Sequence, residues 1–313
     1  MTNLPKIAIS VGDLNGIGIE IALKCHEEIS KTCKPIYCIN NKMLKRAVKK
    51  LNKEVPLDFE TYKTKGDFEI KPGIVSKKAG RCSYNSFIDA IDLANKNEVD
   101  AICTLPINKE SWSKADIKYK GHTEVLRDYF DKHAIMMLGC EKMFVALFTE
   151  HIPLKKVAKK INEKDLTDFL IDFYNSVKND NIGVLGLNPH ASDNGVLGDE
   201  EVEIFKAIRN ANKLLGKEIF KGPMVPDTAF SPNSRKNYTY FVAMYHDQGL
   251  APLKALYFDE SINVSLNLPI IRTSVDHGTA FNIAYKNENI NTQSYINAIK
   301  EAVNLALNKK WNL

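Results

Sequence analysis

Short apolar runs alternate with helical patterns almost from the first residue. That alternation limits the chain to an α/β fold built on largely parallel strands. Residues 6–11 read as a buried strand and residues 12–18 as a glycine-bearing turn. Ile19, Ala22, Leu23 and Ile29 then mark the apolar face of a helix. A strand at 35–39 and a helix at 43–51 follow. Ser83 is placed to cap a helix carrying Phe87, Ile88, Ile91 and Ala94, and a strand at 99–105 stops at Pro106. The middle departs from this rhythm, because the apolar runs 134–138 and 143–148 flank Gly139-Cys140-Glu141 as an antiparallel hairpin would. Strands at 182–187, 240–245 and 262–266 come next, with a final helix from 294 to 307. The helix after Gly198 has Asp199, Glu200 and Glu201 in its first turn and Gly216 past its end, which suits the helix dipole and a glycine cap.

The 43 basic and 38 acidic residues leave a net charge of +5, spread thinly. The densest clusters are Lys45, Arg46, Lys49, Lys50 and Lys155, Lys156, Lys159, Lys160. Both have helical spacing beside apolar residues and no interleaved aromatic residues, so they read as solvated helix faces and not as a nucleic-acid surface. No stretch approaches the roughly 20 apolar residues of a membrane span. The start, MTNLPKIAIS, runs straight into a strand and lacks the pattern of a secretory signal. The six cysteines contain no Cys-x-x-Cys pair and suit free thiols in a cytoplasmic protein.

Chemistry-bearing residues gather where strand patterns stop. Five of seven histidines, His122, His151, His190, His246 and His277, sit at such junctions. In an open α/β sheet, sites collect at the carboxyl ends of strands. A histidine there serves either as a structural hydrogen-bonder or as a metal ligand. The surroundings of His190 (Asn188-Pro189) and of His246 (Asp247-Gln248-Gly249) are polar turns, which favours the ligand role; with His151 they form a candidate set of three around one divalent ion. The Gly12–Glu20 turn fits a tight structural turn better than a phosphate cradle, since it has neither the dinucleotide nor the Walker spacing. The loop His277-Gly278-Thr279, expected to open a helix, either contacts a nucleotide or caps that helix through Thr279. Lys254 and Arg272 lie in apolar stretches and call for an anion, either a buried carboxylate or a substrate phosphate.

Taken in order, Gly12–Glu20, Leu105–Lys109, Gly121–Glu124, His151–Leu154, Gly186–Ala191, Pro226–Thr228, Met244–Leu250 and Arg272–Ala280 resemble the 4-hydroxythreonine-4-phosphate dehydrogenase family of pyridoxal phosphate biosynthesis across nearly the whole chain. That family is similar in fold to isocitrate and isopropylmalate dehydrogenases. The resemblance implies a two-domain α/β/α subunit, with residues 1–130 plus 270–313 in the domain that carries the nucleotide-contacting loop. Residues 131–269 would form the domain with the metal ligands and the dimer interface. It implies a homodimer with active sites at the interface, with no nucleic-acid or membrane partner. It also implies NAD or NADP as cofactor and a divalent metal (zinc, magnesium or cobalt).

Residue by residue, the resemblance makes His151, His190 and His246 the metal ligands. His122, Thr123, Lys254, Asn263 and Arg272 become contacts of a phosphorylated amino-acid substrate. His277, Gly278, Thr279 and Asn282 become nucleotide contacts, and Asp227 and Lys254 become candidates for the proton acceptor. The implied reaction is oxidation of 4-phosphooxy-L-threonine to 2-amino-3-oxo-4-phosphooxybutanoate, a β-keto acid that decarboxylates to 3-amino-2-oxopropyl phosphate. Rival readings are a related metal-dependent dehydrogenase of another phosphorylated hydroxy acid, a metal-dependent lyase or aldolase, and a non-catalytic metabolite binder. The chain departs from the family pattern at Leu14, Asn15 and Ile19, which stand where Pro, Ala and Pro are usual and imply a less rigid turn. It departs again at Ser192-Asp193-Asn194-Gly195, where many members have a glycine-rich segment. Asn282 stands where an aspartate is usual, which removes a charge that would repel a 2′-phosphate and leaves NAD and NADP both open.

Overall fold

The computed structural model describes residues 4–311. The chain divides into two compact units. The first comprises residues up to 132 together with 262–264 and 268 onward, and the second comprises 133–261 and 265–267. The strands are β1 Lys6–Ser10, β2 Lys34–Cys38, β3 Glu60–Tyr62, β4 Ala101–Thr104, β5 Ile135–Cys140, β6 Met143–Leu147, β7 Ile182–Leu185, β8 Phe220–Met224, β9 Tyr240–Ala243, β10 Ile262–Leu266 and β11 Arg272–Val275. The helices are α1 Gly18–Ile29, α2 Asn41–Leu51, α3 Lys77–Asn95, α4 Lys109–Lys114, α5 His122–Phe130, α6 Glu163–Val177, α7 Glu200–Leu215, α8 Pro232–Asn237, α9 His246–Tyr257 and α10 Gln293–Trp311.

In the first unit the strand order is β3-β2-β1-β4-β11, and every pair is parallel. Parallel strands need crossover connections, and the helices between them supply these. The core on one face joins Ala8, Ile102, Phe87, Ile91, Trp112 and Leu126. Helix starts are set by side-chain caps. Asn40 accepts the Met43 N–H at 2.9 Å, and Ser76 caps α3. The expected cap at Ser83 is therefore corrected. Ser83 lies inside α3, fully buried, where its hydroxyl donates to the Gly80 carbonyl and accepts from the Trp112 indole at 2.8 Å. Lys77, Lys78 and Arg81 fill the first turns of α3 and hide the apolar period that would have marked its start.

In the second unit the order is β5-β6-β9-β7-β8. Strands β5 and β6 form the expected antiparallel hairpin, with Met137 opposite Ala146 and Cys140 opposite Met143. The pairs β6–β9, β9–β7 and β7–β8 are parallel. Its core gathers Met143, Val145, Leu185, Phe241, Ala243 and Leu253. Strands β3 and β8 escape a pattern reading because they are short or contain Gly222-Pro223. The lysines at 155–160 lie in two exposed 3-10 turns and not on an α-helix, while those at 45–50 do lie on the solvated side of α2. All six cysteines are free and buried. Among the described residues no helix is long and apolar enough to cross a membrane.

The first turn shows how tightly the first unit is packed. Gly12 has φ +70°, and a Cβ there would stand 2.2 Å from the Pro106 carbonyl oxygen, so only glycine fits. The looser turn expected from Leu14, Asn15 and Ile19 is not found. The Asn15 side chain donates to the Ile74 carbonyl at 2.7 Å and accepts the Lys71 N–H at 2.9 Å, while its own carbonyl takes the Gly73 N–H. Asn15, standing where alanine is usual, thus ties the turn to the 71–74 segment by hydrogen bonds. Asp13, fully buried beside it, accepts the Asn15 N–H at 2.9 Å. Burial pushes its carboxyl up from 3.8 to about 6, with the Asn15 amide pulling the other way.

A carboxyl whose folded pKa exceeds its unfolded value favours the fold most below the unfolded value, and that contribution is lost as pH rises through the folded one. For Asp13 the window runs from about pH 4 to above pH 6 and is worth up to about 3 kcal/mol. Asp13→Asn keeps the acceptor for Asn15 and removes this titration. Urea unfolding of both proteins at pH 4.5 and 7.5 should show the variant gaining relative to wild type at the higher pH. An equal difference at both pH values would remove burial of the carboxylate as the cause.

Candidate active site

The parallel register of β6, β9 and β7 determines where three histidines emerge. These neighbouring strands run in one direction, so their carboxyl ends share an edge of the sheet. His151 follows β6, His246 follows β9 as the first residue of α9, and His190 follows β7. The His151 and His246 rings stand 5.4 Å apart between centres. Two imidazoles bound to one tetrahedral ion through nitrogens at about 2.1 Å would have centres about 5 Å apart, so this pair fits a divalent cation. His246 Nδ1 lies 2.7 Å from Asp247 Oδ1. Such a carboxylate contact fixes the ring and leaves Nε2 for a ligand.

His190 occupies a run of left-handed backbone, with φ values of 53°, 49°, 72°, 46° and 58° from His190 to Asn194. L-residues disfavour this region, and hydrogen bonds from Ser192 Oγ and the Leu197 N–H hold the segment closed. Among the described residues no three His, Cys, Asp or Glu side chains converge closely enough to hold an ion. The structure thus brings His151 and His246 together and places His190 on the same strand edge without closing the triad.

Asp227 lies exposed in the turn after β8. Lys254 is half-buried on α9, with Nζ 3.2 Å from Ser261 Oγ and 5.2 Å from the centre of the Phe258 ring. The apolar stretch read from the sequence is the helix α9, and on it Lys254 lies on a partly exposed face beside a serine hydroxyl and the exposed Phe258 ring.

In the first unit Arg272 opens β11 and is 2% exposed. Its Nη2 and Nε donate to Thr104 Oγ1 at 2.8 and 3.2 Å, and Nη1 reaches Asn263 Oδ1 at 3.5 Å. Desolvation lowers the guanidinium to about 10, so it stays cationic at neutral pH. A guanidinium carries several N–H donors in a planar fork, a geometry that matches an anion's oxygens. Thr104 carried no signal in the sequence beyond its place at a strand end.

His122 does not follow a strand, as its sequence context suggested. It opens α5 after the loop that follows α4. Its ring packs edge-on against Phe87 at 4.5 Å and Trp112 at 5.7 Å, and Nε2 is buried with no hydrogen-bond partner among the described residues. Burial, and then the nearby Arg272 charge, hold it well below the usual histidine range, so it is neutral at pH 7. Thr123 lies beside it in the same first turn.

The loop after β11 is not the start of a helix. Residues 281–287 form successive turns, with left-handed backbone at Ala280, Tyr285 and Asn287. Thr279 is buried and its carbonyl accepts the Ile17 N–H at 3.1 Å, while the Tyr285 hydroxyl donates to the Leu14 carbonyl. The two glycine features, separate in sequence, therefore form one packed structure. His277 Nδ1 stands 3.1 Å from the Gly278 carbonyl oxygen, and Gly278 and Asn282 are exposed. The guanidinium site yields a test: Thr104→Val removes the hydroxyl that accepts two Arg272 N–H groups and should cost about 1–3 kcal/mol in urea unfolding. A loss below about 0.3 kcal/mol would show that the hydroxyl does not support the guanidinium.

The pyridoxal phosphate biosynthetic protein PdxA family matches residues 31–302. The 4-hydroxythreonine-4-phosphate dehydrogenase of Sulfurimonas denitrificans is 63% identical over 300 residues, covering 96% of this chain and 97% of its own. That of Helicobacter pylori strain HPAG1 is 49% identical, covering 94% and 98%. Among solved structures, the 4-hydroxythreonine-4-phosphate dehydrogenase of Klebsiella pneumoniae superposes with a TM-score of 0.83 at 32% identity, over 96% of this chain and 99% of that one. Likeness of this extent along both chains places the protein in the pyridoxal phosphate biosynthetic PdxA family.

Proposed function

We propose that this protein oxidises the C3 hydroxyl of 4-phosphooxy-L-threonine with NAD or NADP, giving the 3-keto acid that loses carbon dioxide to form 3-amino-2-oxopropyl phosphate. The observation that carries the reading is the 63% identity, over nearly the full length of both chains, to a 4-hydroxythreonine-4-phosphate dehydrogenase. The three histidines on one strand edge support it. His151, His190 and His246 would hold a divalent ion of the zinc, magnesium or cobalt class. When bound, that ion supplies Lewis acidity at the hydroxyl, and the nicotinamide supplies the hydride acceptor.

The chain's own residues do the rest. Arg272, with Thr104 and Asn263 fixing its guanidinium, binds substrate anions. Neutral His122 donates or accepts a hydrogen bond without adding charge, and Thr123, Asn263 and Lys254 complete the substrate contacts. The C3 hydroxyl proton passes to Asp227 or Lys254. These differ in charge type, so the pH profiles of Asp227→Asn and Lys254→Met identify which one takes it. His277, Gly278, Thr279 and Asn282 take the nucleotide. Asn282 is exposed and uncharged, which permits a 2′-phosphate and supports use of NADP as well as NAD. The proposal includes a homodimer with active sites completed across its interface. It also includes a cytoplasmic location, where six free thiols stay reduced.

Purified protein supplied with 4-phosphooxy-L-threonine, NAD⁺ or NADP⁺ and a divalent metal should form NAD(P)H. His246→Ala should lose bound metal and lower kcat at least a thousandfold while remaining folded. Arg272→Ala should raise KM at least tenfold. Carbon–carbon cleavage without NAD(P)H would replace this reading with a lyase.

A further inference from the structure

We propose that Gln248 is a positioning residue, a strut that ties the β7 and β9 strand ends together and thereby holds His190 and His246 in register; this rests on reading those histidines as metal ligands. The Gln248 side chain accepts the Met244 N–H through Oε1 at 2.7 Å and donates through Nε2 to the Gly186 carbonyl at 2.6 Å. The orientation of the amide is settled by chemistry, because an N–H can only meet the oxygen and a carbonyl only the nitrogen. Met244 stands two residues before His246, and Gly186 four before His190. One side chain thus spans from one ligand-bearing turn to the other.

Two neighbouring features aim the strut. Gly249 lets the start of α9 lie flat on the sheet, since a Cβ there would fall 2.5 Å from Val145 Cγ1 and 3.0 Å from Ala243 Cβ. Glu201, buried in the first turn of α7, fixes the other end. Its Oε1 accepts the Leu187 and Asn188 N–H groups at 2.8 and 2.7 Å, and its Oε2 accepts from the Asn188 side chain at 2.9 Å. The Asn188 side chain also donates to Glu200 at 2.7 Å. The Gly186–Asn188 turn is therefore held by the strut on one side and by a carboxylate on the other. Groups that orient ligand-bearing segments without touching the metal change metal affinity about ten- to a hundredfold when removed.

The test is titration of the whole protein with Co²⁺ alone, read by calorimetry and by the visible spectrum of the bound ion. Gln248→Met removes both hydrogen bonds at equal length. Gln248→Glu keeps the acceptor for Met244 and sets a carboxylate against the Gly186 carbonyl. Both variants should keep the wild-type circular dichroism spectrum and bind Co²⁺ ten- to a hundredfold more weakly, with a changed visible spectrum. Amide exchange at Met244 should quicken more in Gln248→Met than in Gln248→Glu. Should one variant not fold, the other decides. Affinity within twofold of wild type in a folded variant overturns the strut. His246→Ala separates the two ideas. If it loses Co²⁺ while the Gln248 variants retain wild-type affinity, the ligand reading stands and the strut falls. If it binds as wild type does, or if wild type binds none, both fall.

Discussion

The parallel register of β6, β9 and β7 is the constraint on which the second unit's chemistry depends. Three neighbouring strands pointing the same way deliver their carboxyl ends to one edge. Adjacent strands are spaced by about 4.8 Å, close to the separation two side chains need to share an ion. His151 and His246, from the paired strands β6 and β9, show that spacing directly in their 5.4 Å ring separation. Had β9 run antiparallel, His246 would emerge at the opposite edge. The apolar face of Val145, Phe241, Ala243 and Leu253 packs on one side of these strands, and Phe144, Ala146 and Val242 are buried on the other, so the strands are covered on both faces.

In the first unit a buried cation plays the corresponding part. Arg272 is set in a strand, where it donates to Thr104 and Asn263 and where burial lowers its pKa. His122 answers by staying neutral. The positive charge is thus concentrated on one rigid planar group suited to bidentate anion recognition. The loop that bears His277 and Thr279 is fixed in turn by the Gly12–Gly18 turn through the Ile17–Thr279 hydrogen bond.

Much of this was legible in the chain. The strand–helix alternation, the hairpin around Gly139-Cys140-Glu141 and the glycine stop at Gly216 appear where their local patterns place them. The histidines and Arg272 were visible as polar groups at strand ends or in apolar runs. Less legible were features in which a local rule is overridden. Ser83 is a good cap residue, yet it is buried inside α3 because Trp112 needs its oxygen. His122 resembles a strand-end residue but opens a helix, and the His277 loop has a helix-like start but continues as turns.

The sequence by itself determined the class of fold, the family and the inventory of reactive groups. Periodicity and residue type are local properties, and the family's segments appear in order along the chain. Tertiary structure alone decided which groups meet. It brought His151 to His246 across 95 residues of chain, Thr104 to Arg272 across 168, and Gln248 to Gly186 across 62. It also recruited Thr104, Glu201 and Gln248, ordinary polar residues with no distinctive spacing. Hydrogen bonds and strand pairing act through space between distant segments, so no local pattern encodes which acceptor a guanidinium or an amide will find.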